Sequence, residues 1–125
     1  MGQQALIEQH RVLVVDDHRD VANTIATLLE LLGQTVERAY DGHTALRVAA
    51  RFKPDVVFLD LVMPEMDGIA LARALRHLDS MHDAKIVALT AFTQPAFLEA
   101  TAEAGFHTMI GKPASAEELT RVLVN

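Results

Sequence analysis

Residues 56–68 read VVFLDLVMPEMDG, and the first five of them, Val56 to Asp60, decide the fold. A continuous apolar run without polar alternation suits a strand buried on both faces, and the carboxylate that closes it marks where the chain leaves the core. Related runs recur along the sequence. Val12 to Val15 ends in Asp16 and Asp17, Ile86 to Leu89 ends in Thr90, and the shorter Thr108 to Ile110 runs up to Lys112-Pro113. Thr35 to Ala39 is a fifth stretch compatible with a strand.

Between these runs the apolar residues change to helical spacing. Val21, Ile25, Leu28, Leu29 and Leu32 mark a first helix, with Gly33 placed as a C-terminal cap. Ala45, Leu46, Ala49 and Phe52 mark a second, which Pro54 helps to end. Ile69, Ala72, Leu75 and Leu78 form a third, after the turn signals of Pro64 and Asp67-Gly68. Leu98 and Ala102 face inward on a fourth, between Pro95 and Gly105. Ser115 with Glu118 is a capping box for a last helix carrying Leu119, Val122 and Leu123. Five strands and five helices in strict alternation predict a parallel sheet covered on both faces, because right-handed crossovers place a helix over each strand pair.

The whole-chain numbers agree with one such domain. The 125 residues are half hydrophobic and 22% charged, which supplies a core and excludes a disordered chain. A formal net charge of -6, with no basic run, argues against direct nucleic-acid binding. There is no cysteine, so disulfides and thiolate metal sites are excluded, and the apolar runs are far shorter than a membrane span. Met1 to His10 has no signal-peptide character and reads as a solvated leader, residues 1–10, ahead of a domain at 11–125. A cytoplasmic module is expected. His10, His18, His43, His77, His82 and His107 lack zinc-type spacing and read mostly as surface residues. His18 is the exception, since it follows the acidic pair and reaches the rim of any site built there.

In open α/β sheets the ligand crevice lies beyond the carboxyl ends of the strands. Here that edge brings together Asp16, Asp17, Asp60, Thr90 and Lys112. Alone, each has an ordinary structural reading: a pair of aspartates as a turn or helix cap, a strand-end threonine, a solvated lysine. Together they form a costly cluster, because like charges about 4 Å apart repel by roughly 4 kcal/mol at an effective dielectric near 20. Lys112 offsets part of that repulsion. An all-oxygen set favours a hard cation, and Mg²⁺ is expected, with Asp16 and Asp17 holding it directly or through water. Asp60 is the central carboxylate able to accept a phosphoryl group, with Lys112 and Thr90 binding phosphoryl oxygens.

These residues resemble the response-regulator receiver family of two-component and phosphorelay signalling over about residues 11 to 124. The family's acidic pair stands at Asp16-Asp17, its phosphoacceptor in VVFLDLVMPEMDG at Asp60, its threonine in ALTA at Thr90 and its lysine in GKP at Lys112. The resemblance implies a flavodoxin-like (βα)5 fold with sheet order 2-1-3-4-5. It implies phosphoryl transfer from a phosphohistidine on a sensor histidine kinase or a histidine phosphotransfer protein. It also implies a backbone carbonyl metal ligand from Val62 and a cis peptide between Lys112 and Pro113. Such a domain catalyses its own phosphorylation and dephosphorylation and is not a turnover enzyme. Its signalling face is the surface of helix four, strand five and helix five, where Gln94, Phe97, Met109 and Glu118 are candidate contributors. A homodimer or an attached output domain is left open by the sequence.

Two positions bear on switching and lifetime. The family's switch couples the threonine to an aromatic residue on strand five, where this chain has Met109. A flexible Met can fill vacated space but offers no hydroxyl. Two residues after Asp60 and two after Thr90 stand Val62 and Phe92, neither able to orient an attacking water, so slow self-dephosphorylation is expected. Three other readings compete. A flavodoxin needs a phosphate-cradling loop and stacking aromatics, but the first loop is acidic and the chain has no Trp and one Tyr. An Asp-dependent phosphatase needs a general acid and a longer chain or cap. A receiver fold used only for docking would not need the intact five-residue set.

Overall fold

The computed structural model describes residues 7–64, 66–91 and 103–124. In chain order these form β1 (Arg11–Val15), α1 (Arg19–Leu31), β2 (Thr35–Ala39), α2 (Gly42–Phe52), β3 (Val56–Asp60) and α3 (Gly68–Arg76). A 3-10 turn (Asp79–Met81), β4 (Lys85–Thr90), β5 (Thr108–Gly111) and α4 (Ala116–Val124) follow. The fourth helix expected from the sequence, with Phe92, Gln94 and Phe97, falls outside the described residues, so α4 is the fifth helix of the sequence reading. All strands are parallel, in the order β2-β1-β3-β4-β5. This is the flavodoxin-like arrangement expected.

The apolar runs are buried on both sides of the sheet, which explains why they do not alternate with polar residues. Leu13, Val15, Val57 and Leu59 pack toward α2 and α3 with Phe52, Leu71 and Leu75. Val12, Val14 and Phe58 pack toward α1 and α4 with Ile25, Leu29, Leu119 and Leu123. Each fully buried large side chain contributes about 1.5–3 kcal/mol from its removal from water.

Local signals place the helix ends. Gly33 takes φ +88 just past α1, a left-handed conformation that glycine adopts without a Cβ penalty. At α4 the capping box is reciprocal: the Ser115 hydroxyl accepts from the Glu118 amide, and the Glu118 carboxylate accepts from the Ser115 amide, both at 3.1 Å. Leu78 was expected on the third helix, but α3 ends at Arg76 and Leu78 leads into the 3-10 turn. The Arg76 guanidinium donates to the carbonyls of Met81, Ala84 and Gly105, fixing a tight turn where another helical turn would have continued. Leu78 still packs on the core.

His10 does not behave as a solvated leader residue. Its ring lies 3.0 Å from an Asp55 carboxylate oxygen through Nδ1 and 2.9 Å from the Leu123 carbonyl through Nε2, while its amide donates to Gln34. Both ring partners only accept, so both nitrogens are satisfied only when the ring carries two protons. Burial works against that charge, but the hydrogen bond to Asp55, the Leu123 carbonyl and the charges of Asp55 and Glu8 outweigh it and hold the His10 pKa above its ordinary value. A raised pKa stabilises the fold fully below the unfolded value near 6.5, and that contribution is lost as pH rises through the folded value. Thermal melts should therefore show stability falling between about pH 6 and 8, by on the order of 1 kcal/mol given the solvent access of Asp55. His10→Gln should flatten that slope, and a slope unchanged in the variant would contradict the assignment.

Candidate functional site

Strand register brings the polar ends level. Val15 pairs with Leu59, so Asp16 emerges beside Asp60 one residue further on. Asp60 pairs with Leu89 and Thr90 with Gly111, so Thr90 and Lys112 close the same edge. The Lys112 amide donates to the Thr90 carbonyl at 2.9 Å, and the Lys112-Pro113 peptide is cis, as the family resemblance implied.

Lys112 is the bridge across the crevice. Its ammonium lies 2.7 Å from Asp16 Oδ2 and 3.3 Å from Asp60 Oδ1. Asp16 is fully buried and uses its other oxygen to accept from the His18 amide at 2.9 Å. Asp60 Oδ1 also accepts from the Val62 amide at 3.3 Å. Burial pushes the Asp60 carboxyl upward and the charge of Asp16 adds to it, while Lys112 and the Val62 amide pull the other way without cancelling the rise. Burial works against the Lys112 ammonium too, yet the hydrogen bond to Asp16 and the two carboxylate charges hold its pKa above the ordinary value. The site therefore has more negative charge than one ammonium neutralises.

A cation fits the donors present. Asp17 Oδ1 is a buried oxygen with no hydrogen-bond partner, a costly state that a bound ion relieves. Donor atoms of Asp16, Asp17, His18 and Asp60 all lie within 4.8 Å of one another. Beside them a cleft of about 190 Å³ is lined by His18, Asp60, Val62, Ala91 and Lys112, room for a small anionic group next to the ion.

Each site residue named from the sequence and described here lies at this edge or on the strand leading to it. Asp16, Asp17, Asp60 and Lys112 meet in the crevice. Thr90 is buried at the end of β4, Val62 is half exposed on the cleft wall, and His18 stands on the rim. Met109, paired with Ala88, sits lower on β5 and lines a groove with Glu118 and Arg121. The sequence reading missed Gly68, which it took as a turn. Asp67 instead caps α3, accepting from the Ala70 amide, and the Gly68 amide donates to the Leu61 carbonyl at 2.9 Å against the backbone of Asp60. An Asp directly before a run of helical spacing was the available signal.

A doubly wound parallel sheet with an acidic crevice bridged by one lysine at its carboxyl edge defines the class of fold and site. Comparison with known proteins makes the class specific. The model of the response regulator receiver domain family matches residues 12–124. The response regulator MprA of Mycobacterium ulcerans (strain Agy99) is 39% identical over 109 residues, 87% of this chain and 46% of the relative. The chain thus spans about half the length of the curated relatives it matches. The chemotaxis protein CheY4 of Vibrio cholerae superimposes with a TM-score of 0.88 at 30% identity, covering 93% of this chain and 97% of that one. The receiver domain of sensor histidine kinase PA1611 from Pseudomonas aeruginosa PAO1, solved with a magnesium ion coordinated in its active-site cleft, gives 0.83 at 30% identity over 93% and 95%. The chain belongs to the response-regulator receiver family of two-component signalling. Among the described residues no helix is long and apolar enough to cross a membrane.

Proposed function

We propose that this domain accepts a phosphoryl group from a phosphohistidine onto Asp60, with Mg²⁺ bound by Asp16, Asp17, Asp60 and the Val62 carbonyl. The observation that carries the reading is Lys112 bridging Asp16 and Asp60 while the neighbouring Asp17 oxygen lacks a partner. Both named donors to Asp60 fall on Oδ1, so Oδ2 is the oxygen assigned to attack. The Asp60 oxygen bonds to phosphorus as the phosphorus–nitrogen bond of the donor breaks, and the donor imidazole keeps the electron pair. Lys112 moves its ammonium onto a phosphoryl oxygen, and the Thr90 hydroxyl donates to another. When bound, the divalent cation supplies charge neutralisation for the remaining oxygens.

A phosphohistidine donor implies a sensor histidine kinase or histidine phosphotransfer protein as the partner, in the cytoplasm, and the proposed readout face comprises β5 and α4 together with the segment between β4 and β5 that the sequence reads as its fourth helix. A homodimer or an attached output domain is part of the same proposal. Met109 takes the place of the family's aromatic switch residue, so Thr90 movement is read out there by packing rather than by a hydroxyl. The division into a leader, 1–10, and a receiver domain, 11–125, belongs to this proposal, with the His10 contacts drawing the folded edge slightly toward the N-terminus.

The direct test is incubation with acetyl phosphate and Mg²⁺ followed by mass spectrometry. One added phosphoryl group on Asp60 is expected, and turnover of an added phosphoester without stable labelling would favour a phosphatase instead. The apolar Val62 beside Asp60 supports slow loss of that group. A half-life of seconds in the isolated domain would refute the slow-loss reading.

A further inference from the structure

We propose that His18 sets the metal preference of the crevice, adding an imidazole nitrogen to the carboxylate oxygens and favouring transition-metal divalent ions over Mg²⁺. The inference rests on the reading above that the crevice holds a divalent cation, and it concerns which cation. His18 Nδ1 lies 3.5 Å from Asp16 Oδ1 and 3.5 Å from Asp17 Oδ1. Those distances are long for hydrogen bonds. They are close to the spacing of neighbouring ligands on one ion, since two donors at about 2.1 Å and a right angle are about 3 Å apart.

The ordinary role of a residue in this position is to cap the helix behind it. His18 is the residue before α1, yet its side chain makes no capping hydrogen bond. The His18 amide itself donates to Asp16 Oδ1, which fixes the backbone ahead of α1 without using the ring. The ring is 71% exposed, so turning it onto an ion costs little desolvation, and no described packing holds it elsewhere. Its closest acidic neighbour on the rim is Asp17, whose Oδ1 is the unpartnered oxygen. One ion placed among these atoms would satisfy the orphaned oxygen and engage the ring together.

Chemistry then gives the direction of selectivity. Mg²⁺ is hard, keeps its waters and gains little from an imidazole, whereas ions later in the first transition row bind nitrogen more tightly than oxygen-only sites allow. His18→Ala should therefore weaken Co²⁺ binding about tenfold, the lower end of what loss of even an outer-shell partner costs a metal site. Mg²⁺ binding should change by less than about twofold in the same variant.

The test uses the full chain loaded with Mn²⁺ and read by electron spin-echo envelope modulation, with Co²⁺ and Mg²⁺ affinities from calorimetry. The expected result is a directly coordinated ¹⁴N signal in the wild type that vanishes in His18→Ala while Mn²⁺ stays bound. Mn²⁺ bound without that signal, a signal persisting in the variant, or equal loss of Co²⁺ and Mg²⁺ affinity would each overturn the role of His18 and leave the cation reading intact. Failure of the wild type to bind any of the three ions would instead overturn the cation reading, and His18 selectivity with it.

Discussion

Asp60→Asn should abolish phosphoryl uptake completely and, in the same protein without metal, raise stability by roughly 0.5–2 kcal/mol. Loss of labelling follows from the amide's inability to act as the attacking oxygen. The gain follows from the electrostatics of the crevice when no metal is added. Asp60 is buried beside the fully buried Asp16, and its carboxyl titrates above the ordinary 3.8 because burial and the Asp16 charge both oppose ionisation. A raised acid pKa means the folded state binds the proton more tightly than the unfolded chain does. Stability therefore falls as pH rises from the unfolded value through the folded one, and at neutral pH the full penalty is present.

An uncharged Asn removes that penalty and leaves Lys112 paired with Asp16 at 2.7 Å. The variant should melt several degrees higher than the wild type at pH 7, and the difference should shrink toward pH 3. Adding Mg²⁺ should narrow the gap, since ligand binding stabilises only the protein able to hold the ion. Melts of both proteins at three pH values, with and without Mg²⁺, decide it. A variant less stable than the wild type at pH 7 would mean that Asp60 is a net structural anchor.

The fold was legible because its strands announce themselves twice, by unbroken apolar runs and by a polar residue at the end of each central run. Val12 to Asp16, Val56 to Asp60 and Ile86 to Thr90 have little other use in a chain of this size. The site was legible for the same reason: parallel strands bring their carboxyl ends to one edge, so collecting the end residues collects the crevice. Contacts that depend on distant tertiary neighbours left no local trace. His10 reaches Asp55 and Leu123 across 45 and 113 positions of sequence, and Arg76 reaches the Gly105 carbonyl across 29 while also holding the Met81 and Ala84 carbonyls of the loop before β4. A histidine or an arginine carries no sign of which carbonyl it will meet. Gly68 was hidden differently, because a turn and a helix start begin with the same Asp-Gly pair.

Gly68→Ala should be the most damaging glycine substitution, costing about 3 kcal/mol, at the upper end for an overpacked backbone contact. A Cβ built there would lie 2.5 Å from the Asp60 carbonyl oxygen and 2.6 Å from the Leu61 Cα. Both are backbone atoms of the segment leaving β3, so no rotamer change relieves the overlap. The Gly68 amide also donates to the Leu61 carbonyl, which ties the start of α3 to the same segment. Relief has to come from moving the helix off the strand or the strand end off its register, and the second displaces the Asp60 carboxylate from Lys112. Phosphoryl uptake should fall along with stability.

Gly42→Ala provides the control, because its Cβ would meet the Met66 sulfur at 2.8 Å and the rest of that side chain at 3.2 and 3.3 Å. A flexible thioether can swing away, and alanine at the first position of α2 regains helix propensity. Its net cost should stay within about 1 kcal/mol. Urea titrations of the three proteins compare the two contacts directly. Equal midpoints for Gly68→Ala and the wild type would show that the close approach of α3 to β3 is not what seats Asp60.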